Sequence, residues 1–309
     1  MSGVITTSSF AKSLWPGVNT WYGQAYAEYP VEWDKLFEKN TSRRAFEEDV
    51  GTSGLGLAVV KDQAGAITYD SMRQGFTSRY QHVTYGLGFI VTREAFDDDM
   101  YDVVAKKKSQ SLAFSMRQTK EIIGANVYNR AFNTSYLGGD GTTLVACAAG
   151  GSASAPNVFG GTYTNGPSAA VDLSEAALEQ ACIDIAGFTT DRGLKIAVRP
   201  RKLIIPKELM FEADRILKTE GRTGTDLNDL NALKARGLIP EVVVNHYLTD
   251  TDAWFILTDV RDGLKYFERR DDEFTMDEDF DTENAKYKAT ARYSFGWTDR
   301  RGIYASPGV

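Results

Sequence analysis

The feature that most restricts the fold is the stretch 94–133, which contains no proline and a single glycine, Gly124. Proline and glycine interrupt helices most strongly, so this stretch predicts one helix up to about 60 Å long, at about 1.5 Å per residue. Apolar residues recur in it at spacings of three or four, which is the period of a helix. They form two stripes: Phe96, Met100, Val103, Phe114, Ile122 and Ala125, and Tyr101, Val104, Leu112, Met116, Ile123 and Val127.

Three consecutive lysines, Lys106, Lys107 and Lys108, interrupt both stripes. Such a run most simply forms a solvated face of the helix, and a weak contact with nucleic acid is the alternative. Globular helices average about 11–12 residues, so a helix several times longer is expected to act as a beam on which other elements pack.

Residues 1–47 predict an extended arm. Prolines and glycines recur in the first 30 residues, which argues against a long regular element there. Aromatic side chains on an irregular segment need a surface that covers them. The arm carries many of them, among them Trp15, Trp21 and Tyr22. Packing on the same chain and packing on a neighbouring subunit are equally compatible with this pattern.

Residues 54–92 predict a long two-stranded hairpin. LGLAVVKD leads out, QAGAITYDSMRQG forms the far end, and FTSRYQHVTYGLGFIVT returns. The return strand alternates, with Val83, Tyr85, Leu87, Phe89 and Val91 on one face. An isolated hairpin is marginally stable in water, so another surface is expected to hold this one.

Residues 138–265 predict a compact α/β unit. Glycine-rich segments at 138–143 and 150–170 predict flexible connections. Asp172 and Glu175 resemble a capping box that begins a helix, and Gly187 ends it. The short branched segments LKIAV, RKLII, PEVVVNHYL and AWFILT predict buried strands. A second helix follows Pro206, with Leu209, Met210, Ala213, Ile216 and Leu217 on its buried face.

The end of the chain predicts an antiparallel strand with one buried face. Aromatic and small residues alternate there with polar ones, which is a clean period of two. The inward positions are Tyr287, Ala289, Ala291, Tyr293, Phe295 and Trp297.

Catalytic and metal-binding patterns are not found in the sequence. Cys147 and Cys182 form no CxxC motif and predict reduced, buried thiols; His82 and His246 each lie in a strand pattern without a nucleophile nearby. The acidic run 271–284 begins like a calcium loop but has Thr282 where that loop needs glycine, so it predicts a solvated loop. We therefore expect no catalytic residue, no cofactor and no metal.

Charge and hydropathy limit the partners. The net charge of −7 argues against a surface that grips phosphates throughout, although a shell around nucleic acid does not need to be basic. No apolar run approaches the ~18 residues that span a bilayer, and the N-terminus lacks the pattern of a secretion signal. We expect synthesis in the cytoplasm and no membrane partner.

The order of these parts resembles the major capsid proteins of tailed bacteriophages with the Hong Kong 97 phage capsid fold. The local likeness lies in DLSEAALEQACIDIAGF, LKIAVRPRKLIIPKELMFEADRIL, IPEVVVNHYLTDTDAWFILTD, GLKYFERRDD and NAKYKATARYSFGWTDRRGIYAS. The resemblance implies an α+β chain with these parts: an N-terminal arm (1–47), an extended hairpin loop (48–92), a long spine helix of the peripheral domain (93–137), an α/β axial domain (138–265) and C-terminal strands of the peripheral domain (266–309).

The function that this resemblance implies is structural. Copies would form hexamers and pentamers of an icosahedral virion shell around double-stranded DNA, with separate scaffolding, portal and cementing proteins as partners. The implied contacts between subunits are Trp15, Trp21, Tyr22, Lys61, Tyr69, Arg73, Phe76, Arg79 and Tyr80, and the residues that would face DNA are Lys106, Lys107 and Lys108. Some relatives cross-link a hairpin lysine to an asparagine; Lys61 lies in that region, but no matching asparagine is identified.

Two alternatives stay open. The same fold builds encapsulin shells, which enclose protein cargo, and particles with a protein guest would favour that class. A hydrolase that uses carboxylates of the α/β unit is the second alternative, and a stable monomer with a cleft of clustered acids would support it.

Overall fold

The computed structural model describes residues 8–92, 94, 101–221, 229–278 and 284–309. The α-helices of this part of the chain are α1 (Ser8–Glu28), α2 (Tyr101–Asn129), α3 (Glu175–Ala186), α4 (Met210–Lys218) and α5 (Ala232–Arg236). Short 3₁₀ turns lie at Trp33–Lys35, Lys207–Leu209 and Arg300–Gly302. The strands are β1 (Glu38–Thr41), β2 (Phe46–Thr52), β3 (Gln74–Gln81), β4 (Val83–Val91), β5 (Ala146–Cys147), β6 (Gly150–Gly151), β7 (Ala155–Pro156), β8 (Thr162–Tyr163), β9 (Pro200–Ile205), β10 (Glu241–Val244), β11 (Trp254–Thr258), β12 (Leu264–Glu278), β13 (Ala285–Trp297) and β14 (Ile303–Ser306).

A long sheet with the strand order β1-β12-β13-β4 forms one layer of the molecule. Strands β12 and β13 run antiparallel from the pair Leu264–Trp297 to the pair Glu278–Ala285, with a shift of register near Arg270. The alternation predicted for β13 is confirmed where Tyr287, Ala289, Ala291 and Tyr293 are buried. The acidic run is different from its prediction, because 271–278 belongs to β12 instead of a solvated loop; residues 279–283 lie outside the described part of the chain.

Helix α2 packs along this sheet and confirms a long helix over Tyr101–Asn129. Its buried side chains include Ala105, Leu112 and Met116, which join the main apolar cluster. Phe114 and Ile122, predicted in the first stripe, are instead about half exposed. Phe96 and Met100 of that stripe lie outside the described residues.

The prediction of an irregular arm was wrong for residues 8–28, which form helix α1 although Pro16, Gly17 and Gly23 lie within it. Tertiary packing outweighs the low helix propensity of this sequence. Tyr22 is buried and stacks on Phe274 of β12, with the ring centroids 4.6 Å apart. The arm aromatics described here therefore pack on their own chain.

The hairpin also differs from its prediction. The outgoing strand is β2, Phe46–Thr52, and not LGLAVVKD, and the predicted return strand divides at His82. β3 pairs with β2, from Phe46–Gln81 to Thr52–Gln74, whereas β4 joins the long sheet beside β13. Residues 53–73 connect β2 to β3 without forming a strand; we call them the tip loop.

A second sheet has the order β10-β9-β11-β14, with β9 and β10 parallel and β11 antiparallel to both of its neighbours. The predicted strand LKIAV is not regular beyond the bridge between Thr189 and Lys195. The C-terminal strand β14 lies in this sheet, so residues 303–306 pair with the α/β unit and not with the long sheet of the peripheral prediction.

The two faces of the second sheet belong to different parts of the core. Side chains alternate along each strand, so neighbouring residues point to opposite faces. Ile204, Val243, Phe255, Ile303 and Ala305 join the cluster under α2. Leu203, Ile205, Trp254, Ile256 and Tyr304 pack with helices α3 and α4. This sheet therefore unites the long sheet and the α/β unit in one folded body.

The local details of the α/β unit agree with the sequence in part. Ser174, and not Asp172, caps α3: its hydroxyl accepts from the Ala177 N–H, and Gly187 ends the helix as predicted. In α4, Ala213 and Ile216 are buried, whereas Met210 is 37% exposed instead of buried.

Candidate assembly surfaces

The described residues hold no group of three or more His, Cys, Asp or Glu side chains that could bind a metal ion. Cys147 and Cys182 are buried and free. His82 is buried between two serines, and His246 is exposed beside Glu32. No helix in the described ranges is long and apolar enough to cross a bilayer.

A cavity of about 330 Å³ lies between the hairpin base, which consists of β2 and β3, and the α/β unit. Several aspartates line this cavity. Each of its carboxylates has a cationic partner in the chain. Asp49 and Asp262 both contact Lys265 Nζ at 2.6 Å; Asp140 pairs with Arg300, and Asp191 and Asp299 pair with Arg301. Ion-paired carboxylates of this kind commonly hold a structure together, so the cavity lends no support to a hydrolase.

The pairs around this cavity anchor the hairpin and the glycine-rich connections. Arg300 is buried; it donates to the Thr143 carbonyl at 2.9 Å and pairs with Asp140, and burial lowers its pKa to about 10. A Cβ on Gly139 would meet the Thr77 carbonyl oxygen of β3 at 2.0 Å. The segment 138–143 is therefore a packed connection and not the flexible one predicted.

Asn165 ties the same region together and was missed by the sequence interpretation. It is fully buried; its Oδ1 accepts from the Ala146 N–H, and its Nδ2 donates to the carbonyls of Leu144, Arg300 and Ile303. A single asparagine in a glycine-rich stretch gives no signal of burial, because the sequence does not show which carbonyls converge on it.

The hairpin base is fixed to the long sheet by polar contacts. Asp49 of β2 accepts from Lys265 of β12 at 2.6 Å and from the Thr298 hydroxyl at 3.0 Å. Thr298 also shares a 2.6 Å hydrogen bond with the Tyr80 hydroxyl of β3. At the mouth of the tip loop, the Arg73 N–H donates to Ser53 Oγ at 2.8 Å. The loop thus begins from a rigid support.

The tip loop exposes apolar side chains to an unusual extent. Val60 and Tyr69 are each 92% exposed. Leu55, Leu57, Val59, Ile67 and Met72 are also exposed. Large apolar side chains that gather on one exposed loop commonly mark an interaction site, so the tip loop is the strongest candidate for a contact with another subunit.

The structure separates the predicted contact residues into two groups. Lys61, Tyr69, Arg73, Phe76 and Arg79 are exposed on the tip loop and on β3, where a neighbour can reach them. Tyr22 and Tyr80 are 5% and 4% exposed, so they pack inside the chain instead of facing a neighbour, and Trp21 is partly buried against the main cluster. Trp15 belongs to α1, but its side chain lies outside the described part of the structure.

The three lysines of α2 are all exposed. Lys106 Nζ lies 5.7 Å from the centroid of the Trp21 ring, and Lys108 Nζ donates to the Ile90 carbonyl at 3.2 Å. Two of the three therefore contact neighbouring elements of the same chain while keeping their charge at the surface.

Comparison with known proteins identifies the family. Residues 75–306, about three quarters of the chain, match the family model described as phage capsid protein. The chain belongs to the phage capsid protein family. The match includes nearly all of β3, helix α2, the long sheet without β1, and the whole α/β unit of this capsid protein. Curated protein sequences give no significant match.

Solved structures share the fold of the capsid protein at low sequence identity. A virus-like particle from Pyrococcus furiosus has a TM-score of 0.52 and 10% identity, with 94% of this chain and 98% of that chain covered. The structure of Microbacterium phage Oxtober96 has a TM-score of 0.52 and 10% identity, with 90% of this chain and 92% of that chain covered. The capsid of a native GTA particle has a TM-score of 0.52 and 11% identity, with 89% of this chain and 88% of that chain covered. The capsid protein thus has the expected α+β, Hong Kong 97-like fold.

Proposed function

We propose that this chain is the major head subunit of a tailed phage, and that its copies form the hexamers and pentamers of an icosahedral virion shell around double-stranded DNA. The observation that carries the proposal is the family match over residues 75–306. The exposed apolar tip loop supports it, since a shell subunit needs surfaces that only neighbours cover. Scaffolding, portal and cementing proteins are the proposed partners.

The two sheets suggest which parts of the chain would form the two domains of a shell subunit. The long sheet with α2 would be the peripheral domain with its spine helix, and the second sheet with α3 and α4 would be the axial domain at the capsomer centre. The net charge of −7 fits a shell that surrounds DNA without gripping it by sequence. The tip loop would reach over a neighbouring subunit, with Lys61, Tyr69 and Arg73 at that contact.

Electron microscopy of the expressed chain, with and without its scaffolding partner, tests the proposal. We expect uniform icosahedral particles. Replacing Leu57, Val59 and Val60 by serine should leave subunits or capsomers unassembled, because the apolar contact is lost. Ala58→Ser, a small change in the same loop, is the matched control and should assemble. Monomers alone under all conditions would contradict the proposal.

A protein-compartment shell is the second candidate, because the chain shares its fold with a virus-like particle along nearly its full length. Particles purified from cells distinguish the two functions by their contents. Nuclease-protected double-stranded DNA supports the phage head, whereas a single co-purifying guest protein and low absorbance from nucleic acid support the compartment.

A further inference from the structure

Asp70 links the tip loop to the α/β unit. Asp70 accepts hydrogen bonds from the N–H groups of Gly56 and Ser71, both at 2.8 Å, and from Arg192 Nη1 at 2.7 Å. Gly56 lies on the outgoing limb of the loop and Ser71 on the returning limb. One carboxylate therefore joins both limbs to a residue of the connection between α3 and β9.

Arg192 is placed for this contact by its own surroundings. Its guanidinium lies 4.1 Å from the centroid of the Phe159 ring, and Nη2 donates to the Ser71 carbonyl. The guanidinium of Arg73, at the end of the tip loop, lies 4.8 Å from the same ring. Stacking on an aromatic face fixes the plane of an arginine and removes part of the entropy cost of its hydrogen bonds.

The segment around Arg192 is a tight turn. The Thr190 N–H donates to the Leu194 carbonyl at 2.7 Å, and Gly193 has a φ of 79°, a left-handed conformation that suits glycine. The neighbouring Asp191 pairs with Nη2 of Arg301 at 2.7 Å, and the Arg301 side chain is largely buried. Arg192 therefore projects from a rigid support towards a loop that has no regular structure of its own.

We propose that Arg192 is the positioning residue of the tip loop: by clamping Asp70 it sets the direction in which Leu57, Val59, Val60 and Tyr69 face before another subunit meets them. Pre-organisation of this kind lowers the entropy that an interface must overcome when it forms. Lysine cannot replace Arg192 fully, because an ammonium group cannot serve Asp70 and the Ser71 carbonyl in one plane. The clamp is a property of the single chain, so its test does not depend on the function proposed above.

Distances measured between two spin labels test the clamp in the dilute full-length chain. The labels are introduced by Ala58→Cys on the tip loop and Ala176→Cys on α3, both exposed positions, while the native Cys147 and Cys182 are buried. We expect a single narrow distance distribution in the otherwise unchanged chain. Arg192→Ala and Asp70→Asn should each widen it at least about twofold, since an untethered loop samples many directions.

Two further variants make the result specific. Asp214→Asn removes the carboxylate of an exposed ion pair of the same length, Asp214–Lys218 at 2.7 Å, and should leave the distribution narrow. The double exchange of Asp70→Arg with Arg192→Asp should recover part of the narrow component. Equal widths in the unchanged chain, Arg192→Ala and Asp70→Asn would overturn the proposal, whether or not the chain forms shells.

Discussion

His82 shows how one side chain acquires a defined protonation state from its neighbours. The Ser42 hydroxyl donates to Glu47 at 2.7 Å and accepts from the Arg44 N–H, so it serves His82 Nε2, 3.0 Å away, as an acceptor. Nε2 therefore carries the proton, and Nδ1 accepts from the Ser294 hydroxyl at 3.0 Å. Burial, with Arg292 nearby, lowers the pKa of His82.

This lowered pKa predicts a loss of stability in mild acid. Below about pH 6.5 the unfolded chain binds the proton of His82 more readily than the folded chain does, so stability is present above that pH and is lost as pH falls through the folded pKa. His82→Gln should flatten the fall in melting temperature between about pH 7.5 and pH 5.5 by roughly 1–3 °C. A slope unchanged by His82→Gln would refute the assignment.

Asp140 predicts a large effect because its partner is buried. Asp140→Asn leaves the Arg300 guanidinium, 3% exposed, without its counter-charge, and we expect a loss of about 3–5 kcal/mol in the free energy of unfolding. Urea denaturation measures this loss. Asp214→Asn, in an exposed pair, should change the same quantity by less than about 0.5 kcal/mol. Comparable small effects at both sites would show that Arg300 finds another partner.

At the scale of elements, helix α1 depends on its docking to α2 and β12. Besides the stack of Tyr22 on Phe274, the Tyr26 hydroxyl donates to Asp272, and the Arg117 guanidinium of α2 lies 4.8 Å from the centroid of the Tyr26 ring. Proline and glycine within α1 make the isolated helix unfavourable. These contacts are therefore a condition for the helix to form.

Removing one of these contacts should release α1 alone. Tyr22→Ala deletes a buried aromatic ring, which costs about 3–5 kcal/mol, so amide exchange in residues 17–28 should rise on the order of 100-fold or more. Helices α3 and α4 should keep their protection, because their buried side chains belong to the other apolar cluster. Tyr69→Ala, the same change at an exposed position, should leave α1 unaffected. Uniform acceleration along the chain would mean that α1 unfolds only with the whole molecule.

The elements also show what a sequence can predict here and why. Strand β13 and helix α2 were predictable because each buries one face against a single layer. The apolar residues of that face recur in the sequence with the period of a strand or of a helix. Helix α1 was not predictable, because the partner that stabilises it, β12, lies more than 200 residues away. The predicted contact residues separate into two groups for a similar reason. Tyr69 and Tyr80 look alike in sequence, but Tyr80 packs against Phe267 and shares a hydrogen bond with Thr298, whereas Tyr69 is exposed.

At the scale of the whole molecule, the net negative charge, the apolar tip loop and the lysines of α2 suit different kinds of contact. The net charge of −7 would make neighbouring subunits repel at low salt, so apolar contacts such as those proposed for the tip loop would have to supply the attraction. Lys106–Lys108 form a basic run on the exposed side of α2, away from the tip loop in the chain. A basic patch on an acidic shell subunit fits a weak contact with enclosed nucleic acid.

Replacing Lys106, Lys107 and Lys108 by alanine tests this last assignment. If this face meets DNA, the assembled heads should package normally but release DNA at lower temperature, and the dependence of release on salt should weaken, since up to about three phosphate contacts per subunit are lost. The matched control replaces Lys207, Arg215 and Lys218, which removes the same charge from exposed positions at the start of and along α4. Both variants should fold, because Lys106 and Lys108 contribute surface contacts alone. Release from the α2 variant that equals release from the unchanged chain or from the control variant would show that the α2 lysines do not face the DNA.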